Sequence, residues 1–125
     1  MKTYSDLLTE IENNTIDYLL SFSFSYPEIF IEQIRCATFQ RDYSPYFRLL
    51  YVNVPKHAHS LPESCNGIPV EIQSFLEDGS ICCFLVHVAN GYIQEIEIYK
   101  ADNSMIDLNS LFNGKAYEGL AKRHQ

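Results

Sequence analysis

Leu8, Ile11, Thr15, Tyr18, Leu19 and Phe22 recur at three- and four-residue steps, the period of one buried face of an α-helix. Thr9 followed by Glu12 suits a capping box, in which each side chain satisfies an amide that the first helical turn leaves free. Asp6, Glu10 and Glu12 place negative charge near that end, where the helix dipole favours it. The run SFSFSYP breaks the period. A second short helix is predicted after it, with Pro27 near its start and Ile29, Phe30, Gln33 and Ile34 at helical spacing.

From Thr38 the period changes. Tyr46 to Val54 is rich in aromatic and β-branched residues and is expected to be a strand. Residues 55–67 carry two prolines, an asparagine and a glycine and are expected to form the longest loop. Three further strands are predicted around Val70–Leu76, Ile81–Val88 and Ile93–Lys100, joined by Asp78-Gly79 and Asn90-Gly91. Both dipeptides suit two-residue type I′ turns, which need positive φ at both central positions. The tail, with Asp107, Leu108, Leu111, Phe112 and Leu120, is expected to form a short helix or a strap over the sheet, ending in a frayed GLAKRHQ.

Two-residue turns fix register. Asp78-Gly79 would set Phe75 opposite Cys82, Gln73 opposite Phe84 and Ile72 opposite Leu85; Asn90-Gly91 would set Val88 opposite Ile93 and Phe84 opposite Glu97. Alternation then puts Val70, Ile72, Leu76, Ile81, Cys83, Leu85, Ile96 and Ile98 on an aliphatic face, assigned to the core beneath the helices. Glu71, Gln73, Phe75, Cys82, Phe84, Val86, Glu95, Glu97 and Tyr99 fall on the other face, where carboxylates flank an aromatic strip. Two arrangements satisfy that pattern: the C-terminal segment covers Phe75, Phe84 and Tyr99, or the face stays open as a docking surface. The fold expected is α+β: two N-terminal helices packed on one face of an antiparallel sheet. One domain spans 1–125, helical over 5–36, strand-rich over 38–106 and strapped by 107–125.

The 125 residues carry 9 Lys+Arg against 16 Asp+Glu, a formal charge of −7. That balance disfavours nucleic-acid phosphates and favours a basic partner, although it also serves ordinary solubility. No apolar run approaches the ~18 residues that span a bilayer, and the acidic start MKTYSDLLTEIENN is unlike a signal peptide, so a cytoplasmic location is expected. Cys36, Cys65, Cys82 and Cys83 show no CxxC spacing and are expected to be reduced thiols, with Cys83 in the core.

Candidate chemistry is sparse. His57 and His59, with Cys65 beyond, would need ligands from His87, His124 or a carboxylate to hold zinc, so a polar loop is expected instead. His87 is placed on the core side opposite Gln94, as a partly buried histidine. Glu95 and Glu97 share a strand face near Glu71, but paired-carboxylate hydrolases set such groups in a cleft rather than on a sheet. No P-loop, dinucleotide fingerprint, GxSxG or HExxH is present. No cofactor, metal or catalytic residue is therefore assigned.

The stretches LTEIENNTIDYLLSFSFSYPEIFIEQI, GIPVEI and LVHVANGYIQEIEIYKAD resemble a family of small uncharacterised bacterial proteins. That family looks like a helix pair followed by a GxPVEI strand and an LxHVxxGxxxELEIYxxD hairpin, matched here by His87, Gly91, Glu95, Glu97, Ile98, Tyr99 and Asp102. Ile96 stands where the pattern has Leu, and ESCN before Gly67 and the Cys82-Cys83 pair are particular to this chain. The resemblance implies the fold and brings no activity with it. In size and charge such proteins are similar to immunity proteins encoded beside bacterial toxins, including those of contact-dependent inhibition, which neutralise a toxic domain that is often a basic nuclease. The function expected is thus a non-enzymatic module that binds a basic toxin domain. Glu71, Glu95 and Glu97 would steer it, Phe84 and Tyr99 would anchor it, and Gln73 would lie between. The alternatives are a small enzyme or ligand-binding domain using His87 and the glutamates, and a homo-oligomer paired through its aromatic face.

Overall fold

The computed structural model describes residues 3–22 and 24–118. Among them are two α-helices, α1 (Glu10–Leu20) and α2 (Pro27–Cys36). The strands are β1 (Thr38–Tyr43), β2 (Phe47–Asn53), β3 (Gly67–Phe75), β4 (Ile81–Ala89), β5 (Tyr92–Lys100) and β6 (Lys115–Glu118). They form one antiparallel sheet in the order β1-β2-β5-β4-β3-β6, and the fold is α+β with both helices N-terminal.

Helix α1 starts with the expected box: Thr9 Oγ1 accepts from the Glu12 amide and Glu12 Oε1 accepts from the Thr9 amide. Its apolar stripe places Ile16 and Leu19 in the core. Pro27 opens α2, where its missing N–H costs nothing, and Phe30 and Ile34 face inward. Gln33 lies on the same stripe yet is polar and fully buried. Its amide donates to the carbonyls of His59 and Gly91, and its Oε1 accepts from the Ile93 amide. One side chain thereby fastens α2 to the long loop and to the β4–β5 turn. A second buried polar group, Glu12, takes Arg41 Nε at 2.7 Å and the Tyr43 hydroxyl at 2.6 Å, holding α1 to β1.

The two hairpins differ from expectation in an instructive way. Asn90 and Gly91 both have positive φ, as a type I′ turn requires. At the other hairpin only Gly79 does; the Gly79 amide donates to the Leu76 carbonyl and the Leu76 amide to the Ser80 carbonyl. This is a three-residue connection with a left-handed glycine rather than a two-residue turn. Phe75 consequently faces Ile81, and Ile72 faces Phe84, one residue away from the expected register. Between β4 and β5 the pairing starts as expected at Val88 and Ile93. A bulge then absorbs Gln94, so His87 faces Glu95 and Phe84 faces Ile98.

Because side chains alternate, these shifts turn β4 over. Cys82, Phe84 and Val86 point under the helices, while Ile81, Cys83, Leu85 and His87 lie on the opposite face. The core assigned to Cys83 and Leu85 is therefore formed by Phe84 and Val86, both with no exposed surface. Strand β3 keeps its expected faces, with Val70 and Ile72 inward, as does β5, with Ile96 and Ile98 inward. Two edges were absent from the pattern. β1 pairs with β2 at one side of the sheet, and β6 pairs with β3 at the other.

The segment after β5 is an irregular strap that leads into β6. Leu111 is buried in the core, and the Phe112 ring lies 5.4 Å from Tyr18 and 6.2 Å from Phe84. Leu111 and Phe112 thereby close the helix side of the sheet. Leu120 and the rest of GLAKRHQ, His124 included, lie outside the described residues. No helix among the described residues is long and apolar enough to cross a membrane.

Candidate functional site: the outer sheet face

The sheet face away from the helices is assembled by register. Tyr51 faces Glu95, which faces His87; Leu49 faces Glu97, which faces Leu85, which faces Glu71; Phe47 faces Tyr99, which faces Cys83, which faces Gln73. On β1, Asp42 faces Leu49 and Gln40 faces Tyr51. Of the residues expected to bind a partner, Glu71, Gln73, Glu95, Glu97 and Tyr99 are brought onto this one surface. Phe84 is not: with no exposed surface, and 5.0 Å from the Tyr18 ring on the helix side, it cannot anchor a partner. The reversal of β4 is the reason.

Charge is distributed unevenly between the two faces. Asp42, Glu71, Glu95 and Glu97 all lie on the outer face. Arg41 turns the other way to pair with Glu12, Arg48 lies over the Tyr43 ring at 3.8 Å, and Lys100 is buried on the helix side with Asp78 at 3.7 Å. Of the lysines and arginines in the described strands, Arg41, Arg48, Lys100 and Lys115, only Lys115, opposite Phe75 at the β6 edge, has its register on the outer side of the sheet. Among the described residues, no lysine or arginine forms an ion pair with Asp42, Glu71, Glu95 or Glu97.

His87 changes sides relative to expectation. Its Nε2 lies 3.0 Å from Glu97 Oε1, with about a third or less of each side chain exposed, and Glu95 stands directly across. Cys83 is buried as expected but on this outer face. Burial pushes its thiol up, the neighbouring Tyr99 hydroxyl eases that shift, and Glu71 and Glu97 add to it. Burial likewise raises the Tyr99 hydroxyl to about 12, with Cys83, Glu97 and Glu71 reinforcing it. Burial and the two carboxylates outweigh the Tyr99 hydroxyl, so the Cys83 thiol is held in its protonated form.

The sequence pattern missed Asp42, Leu49 and Tyr51 as parts of this surface. Alternation around the buried Leu50 and Val52 shows that Tyr51 points away from them. That β2 pairs with β5 joins residues 44 to 52 positions apart in the chain, from Tyr51 with Glu95 to Phe47 with Tyr99, which no local signal encodes.

The other candidate sites are more scattered. His59 Nδ1 lies 2.9 Å from Glu32, and among the described residues no group of three His, Cys, Asp or Glu is placed to hold a metal ion. Two shallow clefts, of about 330 and 410 Å3, lie elsewhere. One runs between the Leu76–Asp78 turn and Asp107, and the other between Val52–Val54 and Ala89–Gln94. Neither is lined by His87, Glu71, Glu95 or Glu97. The chain matches no protein-family model, and no curated protein and no solved structure matches it significantly.

Proposed function

We propose that this protein is a binding module of the immunity-protein kind, whose outer sheet face docks and occludes a basic protein, with a toxin domain as the candidate partner. The observation that carries this reading is the outer face itself: four carboxylates with aromatic and aliphatic neighbours, and every arginine of β1 and β2 turned to the opposite side. Charge of this kind raises the rate of encounter with a basic partner, and Tyr99, Tyr51 and Phe47 supply contact area. Self-association through the same face would set its carboxylates against their own copies, which makes a homodimer the weaker reading.

The test is capture of a partner from native lysate by the wild-type protein and by the double variant E95K/E97K. A basic protein retained near one-to-one and lost in the variant is expected. Retention by both proteins alike would move the docking site off this face.

A second reading, a small enzyme or ligand-binding domain, rests on one observation: His87 and Glu97 at 3.0 Å form a potential acid–base pair. It predicts a small molecule that binds wild type and fails to bind H87Q in calorimetry.

A further inference from the structure

We infer that the outer face selects arginine over lysine in its partner, through a clamp formed by Tyr51 and Glu95. This inference rests on the docking face proposed above and adds the chemistry of the side chain it takes. Tyr51 and Glu95 are directly opposed across β2 and β5, which places their Cβ atoms about 5 Å apart on the same side of the sheet. The ring is 39% exposed and Glu95 is half-buried beside it. Glu97, its neighbour on the same strand face, is already engaged by His87. Among the described residues, neither the Tyr51 nor the Glu95 side chain makes a hydrogen bond or ion pair.

A guanidinium is the cation that fits this pair. It is planar and weakly hydrated, so it stacks on a ring while its N–H fork meets a carboxylate; an ammonium is a compact, strongly hydrated point charge that gains less from the ring. The same fold contains the ring–guanidinium half of this arrangement in internal form. On the helix side, Tyr43 and Arg48 are a cross-strand pair with the guanidinium carbon 3.8 Å over the ring, and Tyr43 also reaches the carboxylate of Glu12. The outer pair has the ring and the carboxylate, and the partner would bring the arginine.

Hexa-arginine and hexa-lysine peptides, compared by fluorescence anisotropy at one pH and one ionic strength, provide the test. Wild type is expected to prefer arginine, and Y51L to lower that preference by roughly two- to fivefold while leaving hexa-lysine binding unchanged. Y51F, which keeps the ring, should retain it, and E95Q should weaken both peptides. An arginine preference identical in wild type and Y51L would overturn the clamp while leaving the acidic docking face intact. Failure of both peptides to bind wild type even at low salt would overturn the docking face and the clamp together.

Discussion

At the scale of single residues, buried polar groups are the most informative. Glu12 is 3% exposed and carries a charge, which burial alone would oppose by raising its pKa. Hydrogen bonds from Arg41, Tyr43 and the Thr9 amide outweigh burial and lower it from 4.5 to about 2. A carboxyl whose pKa is depressed on folding contributes stability above its unfolded value and loses it as pH falls through the folded one. Stability should therefore decline between pH 4.5 and about 2, and E12Q should lose this part of the acid limb in denaturation curves recorded across that range. At neutral pH the same variant removes the charge from the bonds to Arg41 and Tyr43, while Arg41 keeps the Leu7 carbonyl, and should cost about 2 kcal/mol. The thiols give a second residue-level prediction. Cys36 is exposed while Cys65, Cys82 and Cys83 are buried, and burial raises Cys82 to about 12. Native protein should show one fast-reacting thiol with a colorimetric disulfide reagent at pH 8, and all of them only after denaturation. Phe84, expected from the pattern to be an anchor, should behave as a core residue. F84A should cost about 3–5 kcal/mol in urea unfolding, against changes within about 0.5 kcal/mol for Y51A on the surface.

At the scale of elements, the two hairpins show how far a turn dipeptide determines a sheet. Asn90-Gly91 met its expected turn because asparagine and glycine both accept positive φ there. Gly91 has a second constraint, since a Cβ would come within 2.8 Å of the Leu61 carbonyl. At Gly79 the backbone is also left-handed, but a Cβ would meet nothing within 4 Å. G79A should thus show the conformational cost alone, about 1 kcal/mol, and G91A clearly more, as read from the difference in unfolding midpoints. The Asp-Gly pair is compatible with both a two-residue turn and a three-residue connection, and the choice between them moves the register by one. Strand β4, ICCFLVHVA, has apolar residues on both faces, so its own pattern could not arbitrate between the two registers. β3 and β5 could, because Glu71, Gln73, Glu95 and Glu97 alternate with aliphatic residues and admit only one orientation.

At the scale of the whole molecule, the fold brings Asp42, Glu71, Glu95 and Glu97, four of the 16 acidic residues, onto one sheet face. Arg41, Arg48 and Lys100 are drawn to the helix side, which leaves the outer carboxylates to act together at long range. For a basic partner the association rate should fall by about tenfold or more between low and physiological salt, as the screening length drops to about 8 Å. Stopped-flow association over a salt series checks this, and E95K/E97K should flatten the dependence. A dissociation rate that stayed nearly constant over the series would place the carboxylates in steering, with Tyr51 and Tyr99 holding the complex.

What the amino-acid sequence determined by itself was local: the period of α1 and α2, the box at Thr9 and Glu12, the type I′ turn at Asn90-Gly91, and the outward alternation of β3 and β5. Each depends on residues within a few positions of one another, where sterics and hydrogen bonding leave few solutions. The tertiary structure alone decided the orientation of β4, the pairing of β2 with β5 that adds Tyr51 and Asp42 to the acidic face, and the route of the strap beneath the helices. Those outcomes follow from burying Phe84, Leu111 and Phe112 against Tyr18 in one core, a packing requirement among distant segments that no local pattern expresses.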